Sequence, residues 1–431
     1  MPKALIETYG CTLNQADSRI MGSLLEKAGY QVEYGEFEPQ KSNYDIIILN
    51  TCTVKTPTEQ KILHKIGSIK NLGKRLIIAG CLASASPEKI EEIAPEASLI
   101  STENIDAIAE VAEKAKAGNK SIVEGKRRID KMQLFSPYAG IIAKIPISEG
   151  CLGNCTFCET KFARGPLNSF SEELIISAIK RSITMGAKEI ELTAQDTGAY
   201  GVDRKTNIVE LLEKAVQIEG NFKIRLGMLN PEHLSKYLDG LVEIYKSEKM
   251  YKFIHIPVQS GSNKVLKGMK REYTIEEFEA YAKELRKKVE GIAIETDVIV
   301  GYPTETFADY EETEAMLKEV RPEVTNVSKF GARPHAEASL LPQLNEEEIK
   351  ARSIRMSRLV RNIQYEARKA LVGTVQTVLF TEENERSING RISNYLAVYV
   401  EKDSKKSIMG KTEKARITGN TSATLIGELD E

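Results

Sequence analysis

The chain of 431 residues contains no tryptophan and only four histidines. Aromatic residues make up 6% of it, so no aromatic platform for stacking nucleic-acid bases is predicted. The formal net charge is −2, which leaves only local basic patches for contacts with RNA. No apolar run approaches membrane-spanning length, and no signal peptide opens the chain. We therefore expect a cytoplasmic location and no membrane partner.

Cysteine is scarce too, yet the six cysteines fall into two sets of three. Cys151, Cys155 and Cys158 form a C-x3-C-x2-C run. Three thiolates on one tight loop can hold three irons of a [4Fe–4S] cluster and leave the fourth iron open, whereas clusters that only carry electrons normally use four cysteines. The alternative is a structural zinc loop, which usually adds a second cysteine pair or histidines. The histidines here are scattered, so the spacing favours iron.

The second set consists of Cys11, Cys52 and Cys81, each of which follows a short apolar run that predicts a strand. Helical patterns lie between these runs, and such alternation predicts a parallel sheet whose ligands collect outside the carboxyl ends of the strands. We expect the three cysteines to converge there. The alternative is three unrelated buried thiols, since free cysteine is a common core residue. The absence of a disulfide framework favours a reducing compartment.

The predicted fold class is α/β, in three parts. Residues 1–120 are predicted to form a parallel α/β domain that ends in a helix over 101–118, and a polar linker follows at 121–138. Residues 139–370 alternate strands and helices, which predicts an open or partial β/α barrel with chemistry at the carboxyl ends of its strands. Its six predicted strands are 143–148, 189–193, 223–228, 253–258, 293–300 and 326–330.

Two features close the chain. A charged helix is predicted over 345–370, with an arginine at every third position from Arg352 to Arg361. These arginines form either a solvated face or a ridge for RNA. Residues 371–431 are predicted to form a small β-barrel. Its predicted strands are 375–380, 390–400, 411–417 and 423–426.

The C-x3-C-x2-C run, with Phe157 before its last cysteine, resembles the signature of the radical S-adenosylmethionine enzymes. The resemblance implies that S-adenosylmethionine chelates the open iron and that Phe157 lies near its adenine. The order of parts resembles the methylthiotransferases, which have an N-terminal three-cysteine domain, a radical domain and a C-terminal TRAM domain. The segments similar to that family's three cysteine motifs are 9–18, 50–54 and 79–81.

This resemblance implies two [4Fe–4S] clusters, with all six cysteines as ligands and catalytic residues. It also implies a sulfur on the N-terminal cluster that is methylated by a second S-adenosylmethionine and then joined to C2 of an adenine. Further segments resemble the archaeal and eukaryotic branch, which acts on N6-threonylcarbamoyladenosine beside the tRNA anticodon. Those segments are 50–57, 195–201, 225–231, 255–262 and 269–273.

The partners that this resemblance implies are the anticodon loop of tRNA, an electron donor such as flavodoxin or ferredoxin, and a sulfur donor. We expect a monomer. One alternative is the same chemistry on another target, such as isopentenyladenosine in tRNA or an aspartate of a ribosomal protein. Another is a catalytically idle RNA-binding protein with a structural metal.

Polar residues at predicted strand ends are candidates for holding S-adenosylmethionine. Arg225 could pair with its methionine carboxylate as a planar fork. For every candidate the alternative is a structural hydrogen bond that closes the barrel end. His255 has apolar neighbours and is predicted to be a core histidine. The other candidates are Thr193, Gln195, Asp196, Gln259 and Asp297.

Two places depart from the family pattern. Glu159 follows the third cysteine of the loop, where a basic or apolar residue is more usual. The segment 333–337, Arg-Pro-His-Ala-Glu, replaces Arg-Pro-Gly-Thr-Pro. We expect both to lie near the mouth of the active site.

Overall fold

A computed structural model describes residues 1–41, 43–53, 56–402 and 407–430. The N-terminal part forms a six-stranded parallel sheet of order β2-β1-β3-β4-β5-β6. All six residues of the central strand β3 are buried, as expected for an apolar strand with both sheet faces covered. The elements are β1 (Lys3–Thr8), α1 (Thr12–Lys27), β2 (Gln31–Tyr34), β3 (Ile46–Thr51), α2 (Thr56–Lys70), β4 (Leu76–Gly80), α3 (Cys81–Ala85), α4 (Pro87–Ile93), β5 (Ser98–Ile100), α5 (Ile108–Lys116) and β6 (Ile122–Val123).

The segment predicted as a linker contributes structure to this sheet. Ile122–Val123 pairs with β5 as a sixth strand, so the N-terminal sheet extends beyond residue 120. The helix predicted over 101–118 is a 3₁₀ turn, Thr102–Ala107, followed by α5. Sequence patterns missed β6 because two half-exposed residues at a sheet edge carry no alternation of apolar and polar side chains.

The middle part contains the six predicted strands, and its open-barrel architecture is confirmed. The strands form two parallel sheets, β11-β10-β7 and β12-β13-β14, which meet at a bridge between Ile224 and Met250. The elements are β7 (Ile142–Pro146), β8 (Ser148–Glu149), α6 (Thr160–Arg164), β9 (Asn168–Ser169), α7 (Glu172–Thr184), β10 (Glu189–Thr193), α8 (Ile208–Val216), β11 (Lys223–Leu226), α9 (Leu234–Tyr245), β12 (Phe253–His255), α10 (Asn263–Gly268), α11 (Ile275–Lys288), β13 (Ala293–Val300), α12 (Phe307–Val320), β14 (Val324–Lys329) and α13 (Glu346–Lys369).

The arginines of α13 do not form one ridge. Arg352 is 4% exposed and forms an ion pair with Glu305, 2.6 Å away, so it holds the helix to the barrel. Arg355 pairs with Glu314 at 2.6 Å, again on the protein side. Arg358 and Arg361 are exposed. These two, together with the half-exposed side chain of Arg355, are the arginines from Arg352 to Arg361 that a partner such as RNA can reach.

The C-terminal part is a closed barrel of order β15-β16-β17-β19-β18. The strand predicted over 390–400 was wrong, because β16 and β17 are antiparallel partners joined by a turn. In that turn Tyr395 has φ +67° and packs against Tyr251 of the middle part, so a tertiary contact holds it in a strained conformation. The strands are β15 (Val375–Glu383), β16 (Ser387–Arg391), β17 (Ala397–Glu401), β18 (Thr412–Asn420) and β19 (Leu425–Leu429). Among the described residues, no helix has the length and apolar character that crossing a membrane requires.

Candidate functional site

The C-x3-C-x2-C run forms the loop between β8 and α6, and the antiparallel pairing of β8 with β9 closes the base of the segment that contains both the loop and α6. The backbone N–H of Gly153 donates to Cys151 Sγ at 3.3 Å, and that of Thr160 donates to Cys158 Sγ at 3.4 Å. A Cβ built on Gly153 would lie 3.5 Å from Cys151 Sγ and 3.7 Å from Cys155 Sγ, so both sulfurs face one backbone position. Because Gly153 has no side chain, it leaves space beside these two sulfurs, which would bind the same cluster.

The Cys151 thiol of this loop stays neutral until a metal displaces its proton. Burial raises the pKa of Cys151 to about 12, and the carboxylate of Asp196 and the two other cysteines add to the rise. Metal ligation requires thiolates, so binding must release protons and is favoured at higher pH.

Arg271, in the turn after α10, faces this loop. Its Nη1 lies 3.3 Å from Cys155 Sγ, and its Nη2 donates to Asn230 Oδ1 at 2.7 Å. Burial raises the pKa of Cys155, and the Arg271 guanidinium opposes that shift. Arg271 was not predicted as a site residue, although it lies within the branch motif 269–273.

Asp196 lies close to the loop, as expected for a residue just beyond β10. Its Oδ2 is 2.9 Å from His233 Nε2 and accepts a hydrogen bond from Asn230 Nδ2 at 2.6 Å. Burial opposes ionisation of Asp196, but hydrogen bonds from His233 and Asn230 outweigh it and lower the pKa of that carboxyl. Asp196, Glu232 and His233 have ligand atoms within 4.8 Å of one another. His233 and Glu232 follow the motif 225–231, which was the only sequence signal for them.

Four other predicted residues border the same end of the barrel. Thr193 is the buried last residue of β10. Gln195 Oε1 is buried and has no hydrogen-bond partner among the described residues, which fits an acceptor kept for a ligand. Gln259 has φ +72°, a strained conformation that its backbone bonds to Asp297 and Ile299 maintain. Phe157 packs against the buried cluster that contains Tyr302.

Arg225 and Asp297 do not gather at the loop. The Arg225 guanidinium lies 5.5 Å from the ring centroid of Phe253, the first residue of β12, and 5.7 Å from that of Tyr395. It therefore faces the amino-terminal end of the barrel, and the geometry does not support a contact with the methionine carboxylate. Asp297 Oδ2 is 2.9 Å from His255 Nε2, inside the barrel. That contact raises the pKa of His255 although burial opposes the rise, so His255 is a partnered interior histidine.

The second cysteine set converges at the N-terminal sheet. Cys11, Cys52 and Cys81 follow the adjacent strands β1, β3 and β4 at their carboxyl ends. Asn14 Oδ1 lies 4.0 Å from Cys11 Sγ and 3.8 Å from Cys81 Sγ. A Cβ on Gly10 would lie 2.7 Å from Cys52 Cβ. Only a glycine at position 10 therefore leaves room for Cys52 beside Cys11 and Cys81. These three thiols also fit a cluster with one open iron.

A buried network joins the two sets. Arg164, on α6 just after the loop, donates from Nε to Cys81 Sγ at 3.3 Å and from Nη1 to Glu149 Oε1 at 2.8 Å. Glu149 stands two residues before Cys151. Lys131 and Asp17 complete the network, and both are buried. The middle part of the chain thereby contributes a side chain to the N-terminal cysteines.

Comparison with known proteins gives three consecutive family matches. Residues 3–102 match an uncharacterised protein family, UPF0004, residues 145–317 the radical SAM superfamily, and residues 369–429 the TRAM domain. The probable threonylcarbamoyladenosine tRNA methylthiotransferase of Pyrococcus abyssi is 39% identical over all of both chains. The threonylcarbamoyladenosine tRNA methylthiotransferase of Drosophila melanogaster is 34% identical over 99% of this chain and 77% of its own length. The chain belongs to the threonylcarbamoyladenosine tRNA methylthiotransferase family.

Solved structures resemble the fold at low identity. The radical S-adenosylmethionine methyltransferase TsrM from Kitasatospora setae aligns with a TM-score of 0.60 at 12% identity, over 79% of this chain and 77% of that one. The cobalamin-dependent radical enzyme OxsB aligns with a TM-score of 0.54 at 14% identity, over 83% of this chain and 56% of that one. These likenesses confirm the radical-enzyme fold.

Glu159, the first departure from the family pattern, lies at the contact between the two parts. It is 3% exposed, and Thr53 Oγ1 donates to its Oε2 at 2.6 Å. Thr53 directly follows Cys52, and Glu159 directly follows Cys158. This hydrogen bond therefore links the two segments that carry the two cysteine sets. Val54 and Lys55, within the motif 50–57, lie outside the described residues.

The second departure, the segment 333–337, attaches the barrel to the N-terminal part. Arg333 forms a buried ion pair with Glu59. His335 Nε2 is 2.8 Å from the carbonyl oxygen of Ala85, and its ring stacks on Phe162 with centroids 3.6 Å apart. A glycine at position 335 would have neither contact. This departure therefore has a structural role at the interface.

Proposed function

We propose that this chain transfers a methylthio group to C2 of N6-threonylcarbamoyladenosine beside the tRNA anticodon. The relatives' names support the substrate. The observation that carries the proposal is the pair of three-cysteine sets, which are joined across one buried network through Arg164. A protein that used iron only to carry electrons would need a fourth cysteine for each set, and the chain has only six cysteines in all.

Each cysteine set fits a [4Fe–4S] cluster with one open iron, because its sulfurs converge around a glycine or Asn14. When bound, the two clusters would supply the electron that cleaves S-adenosylmethionine and the sulfur that is transferred. A radical route suits the target, because the adenine C2–H bond is not acidic and a base cannot activate it.

The protein side chains hold and orient these groups. Arg271 contacts the Cys155 sulfur. Gln195 Oε1, which has no hydrogen-bond partner among the residues that the structure describes, would accept a hydrogen bond from S-adenosylmethionine. The bonds between Asp196 and His233 keep a carboxylate ionised beside the loop, where it would attract the ammonium group of the methionine moiety. Phe157, which packs against the buried cluster that contains Tyr302, would form an apolar wall for the adenine.

The remaining partners follow from the same reaction. The electron would come from a protein such as flavodoxin or ferredoxin, and the sulfur from a separate donor. The C-terminal barrel would bind tRNA, and the enzyme would act as a cytoplasmic monomer. We expect deletion of residues 372–431 to weaken tRNA binding while slow cleavage of S-adenosylmethionine continues. Unchanged tRNA affinity in a filter-binding assay would exclude this barrel as the RNA-binding part.

Mass spectrometry of tRNA nucleosides tests the function itself. The chain is expressed in a host that makes N6-threonylcarbamoyladenosine but lacks its methylthio derivative, and total tRNA is digested. We expect a new methylthio-threonylcarbamoyladenosine peak that disappears with either Cys11→Ala or Cys155→Ala. Only Cys155→Ala should also abolish cleavage of S-adenosylmethionine to 5′-deoxyadenosine. No new peak from an iron-loaded chain would refute the proposed substrate.

A further inference from the structure

Arg164 reaches from the radical domain to the cysteines of the other domain, and all its guanidinium nitrogens are engaged. Nε donates to Cys81 Sγ at 3.3 Å, Nη1 to Glu149 at 2.8 Å and Nη2 to Asp17 at 2.9 Å. The side chain is 1% exposed. A planar guanidinium that is held on three sides has one orientation, so the N–H bond that points at sulfur is set before any metal binds.

The buried charges around Arg164 balance one another before a cluster binds. Two buried carboxylates, Asp17 and Glu149, are matched by two buried cations, Lys131 and Arg164. The network is therefore neutral without Cys81. A thiolate at Cys81 and the cluster bound to it would add negative charge directly beside Arg164. In a buried site of low dielectric, that contact is strong.

Arg164 also acts through Asn14. Its Nη2 donates to Asn14 Oδ1, the atom that lies beside both Cys11 Sγ and Cys81 Sγ. The other end of that amide donates from Nδ2 to the carbonyl oxygens of Tyr9 and Thr51 at 2.8 Å each. Loss of Arg164 would remove one N–H···S bond and the hydrogen bond that Asn14 Oδ1 accepts beside two of the ligand sulfurs.

We propose that Arg164 is a positioning residue that raises the reduction potential of the cluster bound by Cys11, Cys52 and Cys81. One-electron reduction adds a negative charge to the cluster, and a buried cation with an N–H···S bond stabilises the reduced form. The radical domain thus completes the ligand environment of the N-terminal domain. The inference rests on the proposed function only in requiring that these three cysteines bind a cluster.

The test isolates one cluster in the full-length chain. Cys151, Cys155 and Cys158 are changed to alanine, the protein is loaded with iron and sulfide without oxygen, and it is titrated with dithionite. Electron paramagnetic resonance follows the reduced cluster. We expect Arg164→Gln to lower the equilibrium constant for one-electron reduction at least tenfold, which is a shift of about 59 mV to lower potential.

Arg271 is the matched control, because it is a buried arginine that contacts a sulfur of the other set. In the same background Arg271→Gln should leave the potential unchanged. In the reciprocal background Cys11, Cys52 and Cys81 are alanine, and only the cluster of the other cysteine set remains. There Arg271→Gln should lower the reduction potential, and Arg164→Gln should leave it unchanged. A merely structural arginine would not give this crossed pattern.

Four outcomes would contradict the inference. One is an unchanged potential in folded, iron-loaded Arg164→Gln protein, and another is an equal shift for both arginines. If Arg164→Gln fails to fold by circular dichroism, Arg164→Lys decides, because lysine retains the charge but its single nitrogen cannot reach Cys81, Glu149 and Asp17 at once, as the three nitrogens of the planar guanidinium do. A parental potential in that variant is the third contradiction. A parent background that binds no iron would refute the second cluster of the proposed function, and this inference with it.

Discussion

Replacing Lys131 with methionine should destabilise the protein far more than removing an exposed lysine. The Lys131 ammonium is 0% exposed and lies 2.9 Å from Asp17 Oδ1 and 2.8 Å from Glu149 Oε1. Methionine fills a similar volume but leaves two buried carboxylates facing one remaining cation, Arg164. Breaking a buried pair in this way costs about 3–5 kcal/mol, because an uncompensated charge stays in a medium of low dielectric.

The assay is urea unfolding of the full-length chain, followed by circular dichroism in parallel with the parent. Lys114→Met is the matched control, because Lys114 and its partner Glu110 are 52% and 70% exposed. Exposed pairs contribute about 0–1 kcal/mol, so the control should differ little from the parent. The double variant Lys131→Met, Glu149→Gln removes one charge of each sign and should recover most of the loss.

Two results would refute this reasoning. A loss below about 1 kcal/mol for Lys131→Met would mean that the network is hydrated or rearranges easily. If the double variant loses as much free energy of unfolding as the two single variants lose together, Lys131 and Glu149 are not coupled.

Three further predictions concern other parts of the chain. Burial raises the pKa of Glu189 from its ordinary 4.5 to about 7, and Glu191 adds to the rise. The folded state therefore holds a proton that the unfolded state loses, and stability should fall by about 3 kcal/mol from pH 4.5 to 7. Glu189→Gln should flatten that part of the profile measured by urea unfolding, and an unaltered slope would assign it to another group. Gly10→Ala should roughly halve the iron bound per chain, because its Cβ would lie 2.7 Å from the Cβ of a ligand cysteine. Gly29→Ala is the control, because it brings similar backbone strain but its Cβ enters open space. Loss of all iron from both variants, or full iron content in both, would contradict the steric argument. Phe380→Ala should cost about 3–5 kcal/mol and expose the C-terminal barrel to protease, whereas Ile426→Ala, at a half-exposed site on that barrel, should not. Equal cleavage of the two variants would count against a separate barrel core.

Local sequence patterns determined the parts of the fold that depend on regular repetition. Apolar strands such as β3 and β13 lie where the apolar runs of the sequence predicted them. Short or half-exposed strands were missed, because β2 and β6 bury too little apolar surface to leave a pattern. The turn between β16 and β17 was hidden for another reason. Tyr395 adopts a positive φ that its contacts with Tyr251 and Glu189 stabilise, and no local signal predicts such a conformation.

The cysteine sets were determined by the sequence almost completely. Spacing alone brings Cys151, Cys155 and Cys158 together, and the carboxyl ends of parallel strands bring Cys11, Cys52 and Cys81 together. Which charged residues lie around these cysteines was decided by the tertiary structure. Arg225 was predicted for the site and faces the other end of the barrel, while Arg271 and Arg164 occupy the positions beside sulfur.

The physical reason is the reach of the side chains involved. A cysteine sulfur lies close to its backbone, so the position of the backbone places the ligand. An arginine extends several bonds beyond its backbone, and its direction follows from whichever carboxylates, sulfurs and rings surround it. Glu149, Asp17 and Lys131 come from three separate segments, and only the packing of two domains brings them around Arg164. The sequence by itself thus determined which atoms could hold the clusters, and the tertiary structure decided which charges surround them.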